Sequence, residues 1–393
     1  MSFKLPATFA MNPSACANFF CAVALFAFAA TASAENFLVY FGTYTNALSR
    51  GIYVSRLGAA TGILSAPTLA AEAPSPCFIN LSPDGKFLYA ANSVKTFNGE
   101  NAGAVSAFAI DKTSGKLTLL NQKSSGGIGP CHVSVDATGK TLFVANYGDG
   151  SIKSFSILTN GAIGEDGDRA ERVGHSVNTN RQNSAHAHFI CADPSNKFAL
   201  VCDLGTDEII SYPFDATNAH LHVAGFEVGS VPSGAGARHL VFGRDGKTFY
   251  LVNEMGCSIS RFMLDEKGRI YPFETIPALP PGVAVQTSFT AAEILVSPNK
   301  KFLYATVRGH DSVSVFATDA HSGKLTFVQN ISAGGKVPRG LGIDPTGRWL
   351  ITANQKSENA VEFAIDAVTG KLSPTGQELK MGSPVDVKFV KGD

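Results

Sequence analysis

The sequence predicts an all-β protein, a seven-bladed β-propeller made of four-stranded blades. The first observation is a turn rich in Asp, Pro, Gly and Asn that recurs along the chain, at Gly85, Gly139, Asn196, Gly246, Lys300 and Gly347. The second observation is that each interval, about fifty residues long, holds several short runs in which apolar and polar residues alternate. A period of this length with several strands per unit indicates a propeller rather than a helical solenoid.

Each unit repeats the same order of elements. The turn leads into an apolar run of aromatic and β-branched residues, at 87–91, 142–145, 249–252 and 302–306. A strand with period-two alternation follows, at 104–110, 151–157, 312–316 and 360–365. It ends in a second turn, such as residues 111–117 or 366–372, whose Gly, Asp and Ser tolerate the backbone angles that tight turns require.

The two ends of the chain complete the count of blades. Residues 36–64 match a unit that lacks its first strand, and Ser383–Val390 supplies a strand of that kind because it parallels Gly129–Asp136. We therefore expect the C-terminal strand to complete the first blade, which closes the ring and leaves no free sheet edge. This gives seven blades in a single domain over residues 35–393.

The first 34 residues are expected to be a signal peptide. They contain one charged residue, Lys4, an apolar stretch over 19–30 and an Ala-x-Ala cleavage pattern at 32–34. The apolar stretch is short for a membrane span. The protein is therefore predicted to be periplasmic or secreted, with no membrane partner after the leader is removed.

Composition narrows the class of ligand. Basic and acidic residues number 32 each, so the formal net charge is zero, and no basic stretch suggests nucleic acid as a partner. The spacing of Cys and His shows no zinc motif, and no cofactor is expected. Cys191 and Cys202 flank a predicted turn symmetrically, which leaves a disulfide open but favours two buried thiols.

Polar residues of unlike chemistry fall at two fixed positions of the repeat. The end of the second strand of successive units carries Asn92, Asn146, Tyr147, Asp203, Asn253, Glu254, Arg308, Asn354 and Gln355. The start of the first strand carries Cys77, Cys131, His132, His188, Arg238, His239, Glu293 and Arg339. Antiparallel strands bring both positions to the same end of a blade, so these side chains should converge on one mouth of the channel. Acid–base chemistry is the functional interpretation, and ion pairs that brace the channel are the structural alternative.

The segment 181–188 places four polar side chains near the same mouth, namely Arg181, Gln182, His186 and the His188 already mentioned. Two His residues in alternation can share one face of a strand and bind a metal. Because no third ligand has a suitable spacing, neutral imidazole as a base or hydrogen-bond partner is the favoured interpretation.

The same segments resemble the seven-bladed propeller lactonases, a family that includes bacterial 6-phosphogluconolactonases of the propeller type and a fungal carboxymuconate-cyclising enzyme. The motifs are FGTYT at Phe41, GPCHV at Gly129, AHAH at Ala185, ARHL at Ala237 and ANQ at Ala353. The resemblance implies a catalytic set made of His188, Arg238, Glu254 and Arg308. The chain departs from the family at Ala185, Ala187 and Ala237, where Gly or Pro is common.

The resemblance implies hydrolysis of a sugar lactone. Glu254 or His188 would activate water as the general base, and Arg238 and Arg308 would stabilise the oxyanion or an anionic substituent. The candidates for substrate binding are His132, Asn146, Arg181, Gln182, His186, Asp203, His239, Glu293, Arg339 and Gln355. Two alternatives remain at this point, a carboxymuconate cycloisomerase and a secreted binding propeller without enzymatic activity.

Overall fold

The computed structural model describes residues 1–2 and 36–393, and residues 36–393 form strands and connecting turns without a helix. The predicted signal peptide therefore lies outside the described residues, apart from its first two positions, and stays a prediction. Among the residues that are described, no helix has the length and apolar character needed to cross a membrane.

The strands are short and follow one another in seven groups. The first three groups consist of β1 (Asn36–Thr43), β2 (Gly51–Gly58) and β3 (Thr68–Glu72); β4 (Pro76–Leu81), β5 (Phe87–Asn92), β6 (Ala104–Ile110) and β7 (Leu117–Ser124); β8 (Pro130–Val135), β9 (Thr141–Asn146), β10 (Ser151–Ile157) and β11 (Ile163–Glu171). The fourth and fifth consist of β12 (Ala187–Ala192), β13 (Phe198–Asp203), β14 (Glu208–Asp215), β15 (His220–Leu221) and β16 (Glu227–Ser230); β17 (Ala237–Phe242), β18 (Thr248–Asn253), β19 (Ser258–Leu264) and β20 (Ile270–Pro277). The last two consist of β21 (Thr290–Val296), β22 (Phe302–Arg308), β23 (Ser312–Thr318) and β24 (Leu325–Ser332); β25 (Pro338–Ile343), β26 (Trp349–Asn354), β27 (Asn359–Ile365), β28 (Leu372–Lys380) and finally β29 (Pro384–Lys391).

These strands form seven antiparallel sheets, which confirms the predicted seven-bladed propeller. Six blades have four strands each. From the inner strand outward these follow the order of the chain, except that the inner strand of the first blade is β29. In the fourth blade, the outer position is divided between two short strands, since β15 and β16 pair with different halves of β14. The ring is closed by packing between neighbouring inner strands, including β25 against β29 and β29 against β4.

The last strand completes the first blade as predicted. β29 pairs antiparallel with β1, from Phe37 opposite Lys391 to Thr43 opposite Pro384. The strand runs over Pro384–Lys391, one residue further along the chain than the sequence pattern indicated. The first blade thus combines the first three described strands with the last one.

The core lies between blades, and in several blades a repeated tyrosine links one blade to the next. Tyr40, Tyr89 and Tyr304 are buried on the second strand of their blades. Each hydroxyl donates a hydrogen bond of 3.0 Å to a glycine carbonyl in the outer turn of the following blade, at Gly115, Gly161 and Gly370 respectively. These glycines have positive φ, a conformation that L side chains rarely adopt. The aromatic residues in the apolar runs are therefore packing residues.

The cysteines of the described domain are free thiols. Cys202 lies opposite Phe189 and Cys191 lies opposite Leu200, so the two thiols are out of register with each other. The two cysteines therefore do not face each other across the hairpin, which agrees with the interpretation as two thiols rather than a disulfide.

Candidate active site

A β-bulge at the start of each inner strand sets the first group of site residues. In four blades the extra, unpaired residue is Cys77, Cys131, His188 or Arg238. In the seventh blade the extra residue is Arg339, and in the sixth the irregularity spans Ala292 and Glu293. A bulge releases a residue from the ladder and re-aims its side chain. The first of the two predicted positions, at the start of the first strand of each unit, therefore coincides with these bulges, whose side chains face the ring axis.

The second predicted position separates into two adjacent residues with different roles. The Asn that ends the second strand turns into its own blade, as Asn146 does by donating to the Ser125 carbonyl at 3.2 Å and to the Ser151 hydroxyl at 3.1 Å. The residue after it lines the cavity, as Tyr147 and Glu254 do, and Arg308 takes the same place after Val307. Asn at this position is a turn residue, and the site begins one residue later.

All seven blades contribute to a cavity of about 390 Å³ on the ring axis, a size that suits a small ligand. It is lined by Tyr44, Ser93, Gly129, Cys131, Tyr147, Gly148, Arg181, His188, Glu254, Thr290, Arg308 and Arg339. Burial raises the pKa of the Cys131 thiol to about 12, so this sulfur stays protonated and is a poor nucleophile.

Glu254 is the centre of a buried charge cluster. Its Oε1 lies 2.6 Å from Nη2 of Arg181, and its Oε2 lies 3.0 Å from Nε of Arg238 and 2.9 Å from Nη2 of Arg308. Burial by itself would raise the pKa of this carboxyl group, but Arg308 and Arg238 outweigh that effect and hold the pKa well below its usual range. Glu254 is therefore an ionised group whose lone pairs are already shared among three guanidinium groups.

Arg238 lies beneath this carboxylate and not in the cavity wall. It is 2% exposed, and its second hydrogen bond goes to the Ala292 carbonyl. Arg308 does line the cavity and also donates to the Ala291 carbonyl at 3.1 Å. The two arginines that sequence analysis treated alike thus differ in their access to a ligand.

His188 lines the cavity as a neutral imidazole. Burial, with a smaller contribution from Arg238, lowers its pKa well below the usual value of 6.5. Its Nδ1 is buried and has no hydrogen-bond partner. Its ring packs edge-on against Tyr147 and His239, at centroid distances of 5.6 and 5.1 Å. An imidazole in this state can accept a proton from a bound molecule.

Arg339 is the cationic group in the wall that has no carboxylate partner among the described residues. Its Nη2 lies 3.5 Å from the Tyr44 hydroxyl, and its guanidinium group sits 5.7 Å from the centre of the Tyr44 ring. A cation that lines a cavity without a counter-ion favours an anionic ligand. Tyr44 follows Thr43 at the end of β1 as Tyr147 follows Asn146 at the end of β9, and this parallel is the sequence signal that would have identified it.

Beneath the cavity, aromatic and imidazole rings fill the channel. His132 lies between Phe78 and Phe189, with both ring centroids 4.2 Å away, and His239 is 5.4 Å from His132. Nδ1 of His239 lies 3.0 Å from Oε1 of Glu293. We call His132, His239, Glu293, Phe78 and Phe189 the channel plug.

The predicted substrate-binding residues therefore fall into three groups. Arg181 and Arg339 line the cavity, whereas His132, His239 and Glu293 lie below it in the channel plug. The remaining five lie outside the cavity wall, and these are Asn146, Gln182, His186, Asp203 and Gln355.

Three residues outside the wall hold its loops in place. Gln182 donates to the Leu204 carbonyl at 2.9 Å and so anchors the loop that carries Arg181. Asp203 accepts the backbone N–H of His186 at 2.8 Å. The ring of His186 stacks on Tyr147 at a centroid distance of 4.4 Å. These contacts support the cavity wall from behind.

No group of three or more His, Cys, Asp and Glu side chains is arranged to hold a metal ion within residues 36–393. The arrangement that is present, a neutral imidazole beside several guanidinium groups, can accept a proton and stabilise developing negative charge.

Comparisons of sequence agree with the fold. The chain matches the family described as lactonase, 7-bladed beta-propeller, over residues 38–389. A 6-phosphogluconolactonase of Bacillus subtilis is 32% identical over 355 residues, which cover 90% of this chain and 98% of the relative. A 6-phosphogluconolactonase of Formosa agariphila is 34% identical over 305 residues, which cover 77% of this chain and 84% of the relative.

Solved structures show the same architecture. A Bacteroides fragilis protein assigned as a 6-phosphogluconolactonase is 34% identical, has a TM-score of 0.83, and the match covers 92% of this chain and 99% of the other. The periplasmic gluconolactonase of Pseudomonas aeruginosa is 29% identical, with a TM-score of 0.82 and coverage of 90% and 99%. The chain therefore belongs to the family of seven-bladed β-propeller lactonases, which confirms both the resemblance and the prediction of a lactonase enzyme made from its sequence.

Proposed function

We propose that the protein hydrolyses a sugar lactone that carries an anionic group, as 6-phosphogluconolactone does. The observation that supports this most is the excess of positive charge at the cavity. Arg181, Arg308 and Arg339 line it and Arg238 lies just beneath, against the single carboxylate of Glu254. A phosphate or carboxylate on the substrate, and the carboxylate that hydrolysis creates, would both offset this excess.

His188 is the better candidate for the general base. Both carboxylate oxygens of Glu254 are already bonded to guanidinium groups, of Arg181, Arg238 and Arg308, which leaves them poorly placed to accept a proton from water. His188 is neutral and lines the cavity, so its ring is placed to meet a substrate, although burial lowers its pKa as well. In the proposed reaction, its Nε2 accepts a proton from water while the water oxygen bonds to the lactone carbonyl carbon. The tetrahedral adduct then collapses, the ring C–O bond breaks, and the proton passes from Nε2 to the departing oxygen.

The arginines have different roles in this proposal. Arg308 reaches the cavity while bonded to Glu254, so it is placed to stabilise the oxyanion on the carbonyl carbon. Arg339, which has no carboxylate partner among residues 36–393, would bind the anionic substituent of the substrate. Arg238 is enclosed and would act through Glu254 by fixing its position.

A carboxymuconate cycloisomerase is the second candidate, because the same excess of positive charge would suit a substrate with several carboxylates. The two reactions differ in one observable, since hydrolysis adds one molecule of water to the substrate and so raises its mass, whereas cyclisation conserves the composition of the substrate.

The predicted leader over residues 1–34 supports export to the periplasm or medium, and the Pseudomonas aeruginosa relative is described as periplasmic. Export leaves open whether the substrate is phosphorylated, so the experiment must offer both kinds of lactone.

The test is a pH-stat assay of residues 35–393 with gluconolactone, 6-phosphogluconolactone and a carboxylated muconolactone, each corrected for spontaneous opening in buffer. We expect the phosphorylated lactone to be opened with the lowest KM. The proposal is overturned if no lactone is opened faster than in buffer, or if the His188→Gln variant hydrolyses them as fast as the natural chain.

A further inference from the structure

The contact between His239 and Glu293 has one possible direction when Glu293 is ionised. Oε1 of Glu293 accepts the backbone N–H of Ile294 at 3.0 Å and lies 3.0 Å from Nδ1 of His239. An ionised carboxylate can only accept hydrogen bonds, so Nδ1 of a neutral His239 carries the hydrogen and its Nε2 is a bare acceptor. This nitrogen is buried and has no partner.

The neighbouring imidazole, that of His188, also has a ring nitrogen without a hydrogen-bond partner. Nδ1 of His188 is also buried without a partner, and the two ring centroids are 5.1 Å apart. The two nitrogens are not hydrogen-bonded to each other in this structure. The planes of the rings are inclined at 63°, so the proposed bond requires rotation of the His188 ring about χ2.

We propose that Glu293 and His239 are positioning residues that hold His188 in one tautomer, through hydrogen bonds from His188 Nδ1–H to His239 Nε2 and from His239 Nδ1–H to Glu293. This role rests on the proposed function of His188 as a base. In that tautomer the lone pair of His188 Nε2 is free to receive the proton of water. His239 and Glu293 lie in the channel plug and do not line the cavity, so they act on the substrate only through His188.

The arrangement makes the tautomer sensitive to the charge of Glu293. Protonated Glu293 would donate to His239 Nδ1, and the hydrogen bonds would reverse and leave a hydrogen on His188 Nε2, which then cannot accept one. The titratable or charged groups that act on Glu293 are His239, Lys388, Arg238, Arg339 and Asp386. Burial raises the pKa of Glu293 above its usual 4.5 despite the opposing effect of Lys388. We therefore expect turnover to fall as the pH drops through this raised pKa.

The kinetic test compares Glu293→Gln and His239→Gln with Phe189→Leu. Phe189 packs against the same His239 ring, at 5.3 Å between centroids, but has no hydrogen-bonding group, so its variant reports the effect of packing alone. The two polar variants should lower kcat about tenfold or more with KM changed less than about threefold, and Glu293→Gln should remove the acid limb of the pH profile. Phe189→Leu should keep that limb. An unchanged acid limb in Glu293→Gln overturns the proposal.

A second measurement needs no turnover and so separates this inference from the lactonase proposal. NMR of the chain with ¹⁵N-labelled histidine reports which ring nitrogen is protonated, and His188→Gln identifies the signal of His188. We expect hydrogen on Nδ1 of His188 at neutral pH and transfer to Nε2 when Glu293 is protonated by acid. If His188 carries its hydrogen on Nε2 at neutral pH, the proposal is wrong, whether or not Glu293→Gln and His239→Gln fold.

Discussion

At the scale of single residues, Glu254 holds three cations in a space from which water is largely excluded. The sequence pattern placed it correctly at the channel mouth and left open whether it or His188 is the base. That choice depends on contacts with Arg181, Arg238 and Arg308, which come from different loops and strands. Contacts of this kind are set by tertiary packing and leave no mark on the spacing of residues.

Glu254→Gln is expected to destabilise the protein as well as to impair catalysis. The change removes the carboxylate to which all three guanidinium groups are bonded, and breaking a buried ion pair typically costs about 3–5 kcal/mol. Because the pKa of Glu254 is depressed in the folded state, its stabilisation is present above the unfolded pKa of about 4.3 and lost as the pH falls through the folded value. Thermal melts from pH 7 to pH 3 should show a large loss at pH 7 and a smaller one in acid. Equal melting temperatures at pH 7 would contradict the ion-pair assignment.

His188→Ala should separate catalysis from stability. The imidazole is neutral and its Nδ1 has no partner, so its loss breaks no ion pair, whereas turnover should fall about a hundredfold or more because the base is gone. Steady-state kinetics on the preferred lactone measures the loss. Imidazole added to the buffer should restore part of the activity of this variant, and turnover within about threefold of the natural chain would exclude His188 as the base.

Arg339→Gln should weaken binding of an anionic lactone with little effect on the fold. A hydrogen bond to a charged group contributes about 1.5–3 kcal/mol, which corresponds to a rise in KM of about 10- to 150-fold. Since Arg339 has no carboxylate partner in residues 36–393, the melting temperature should not fall. A neutral lactone is the control substrate, and its KM should change less than about threefold. Equal effects on both lactones would show that Arg339 does not recognise the anionic group.

At the scale of elements, the inner-strand bulges explain why the repeat located several residues of the cavity wall. Bulged residues such as His188 and Arg339 recur at one offset from the turn, because the bulge occupies the same place in each blade. The pattern was less informative at the end of the second strand, where it placed Asn146 and Glu254 in one group of residues that should reach the channel mouth. Asn hydrogen-bonds its own turn and the residue after it meets the cavity, a difference of one position that reverses the direction of the side chain.

The last strand offers a direct test of ring closure. Deleting residues 384–393 removes β29, including the buried side chains of Val385, Val387 and Val390, and leaves β1 without its inner partner. Each valine contributes about 1.5 kcal/mol or more on burial, and together they approach the net stability of a typical domain. We expect loss of the cooperative thermal transition, measured by circular dichroism. Deletion of Asp393 alone is the control, and a truncated chain that melts like the control would refute the closure.

At the scale of the whole molecule, one continuous ring surrounds the cavity, and each of its seven blades supplies part of the wall. The number of blades and the closure by the last strand followed from the sequence, since they depend on a repeat that is visible along the chain. The identity of Tyr44 as a wall residue did not, because the first blade lacks the turn from which the other blades were aligned. The ring's first described strand begins at Asn36, after the residues of the predicted signal peptide.

Removal of residues 1–34 is therefore expected to leave folding and activity intact. Expressed in a bacterium with its own leader, the protein should appear in the periplasmic fraction with Glu35 as its first residue, as measured by mass spectrometry of the intact protein. An Ala34→Arg variant, which disrupts the Ala-x-Ala pattern, should accumulate uncleaved. Cleavage at another site, or retention of the full leader in the natural chain, would contradict the predicted boundary.

The pairing of β29 with β1 also determines when the molecule can become complete during its synthesis. β1 leaves the ribosome before every other described strand, while its inner neighbour leaves after all of them. Until β29 emerges, the nascent first blade lacks its inner strand and exposes backbone hydrogen-bonding groups that a chaperone or another chain can bind. Because this contact joins the most distant strands of the sequence, it also bears the largest loop-closure entropy of the fold. Closure is therefore a late event in biogenesis, and any machinery that keeps the chain unfolded has until the synthesis of β29 to act.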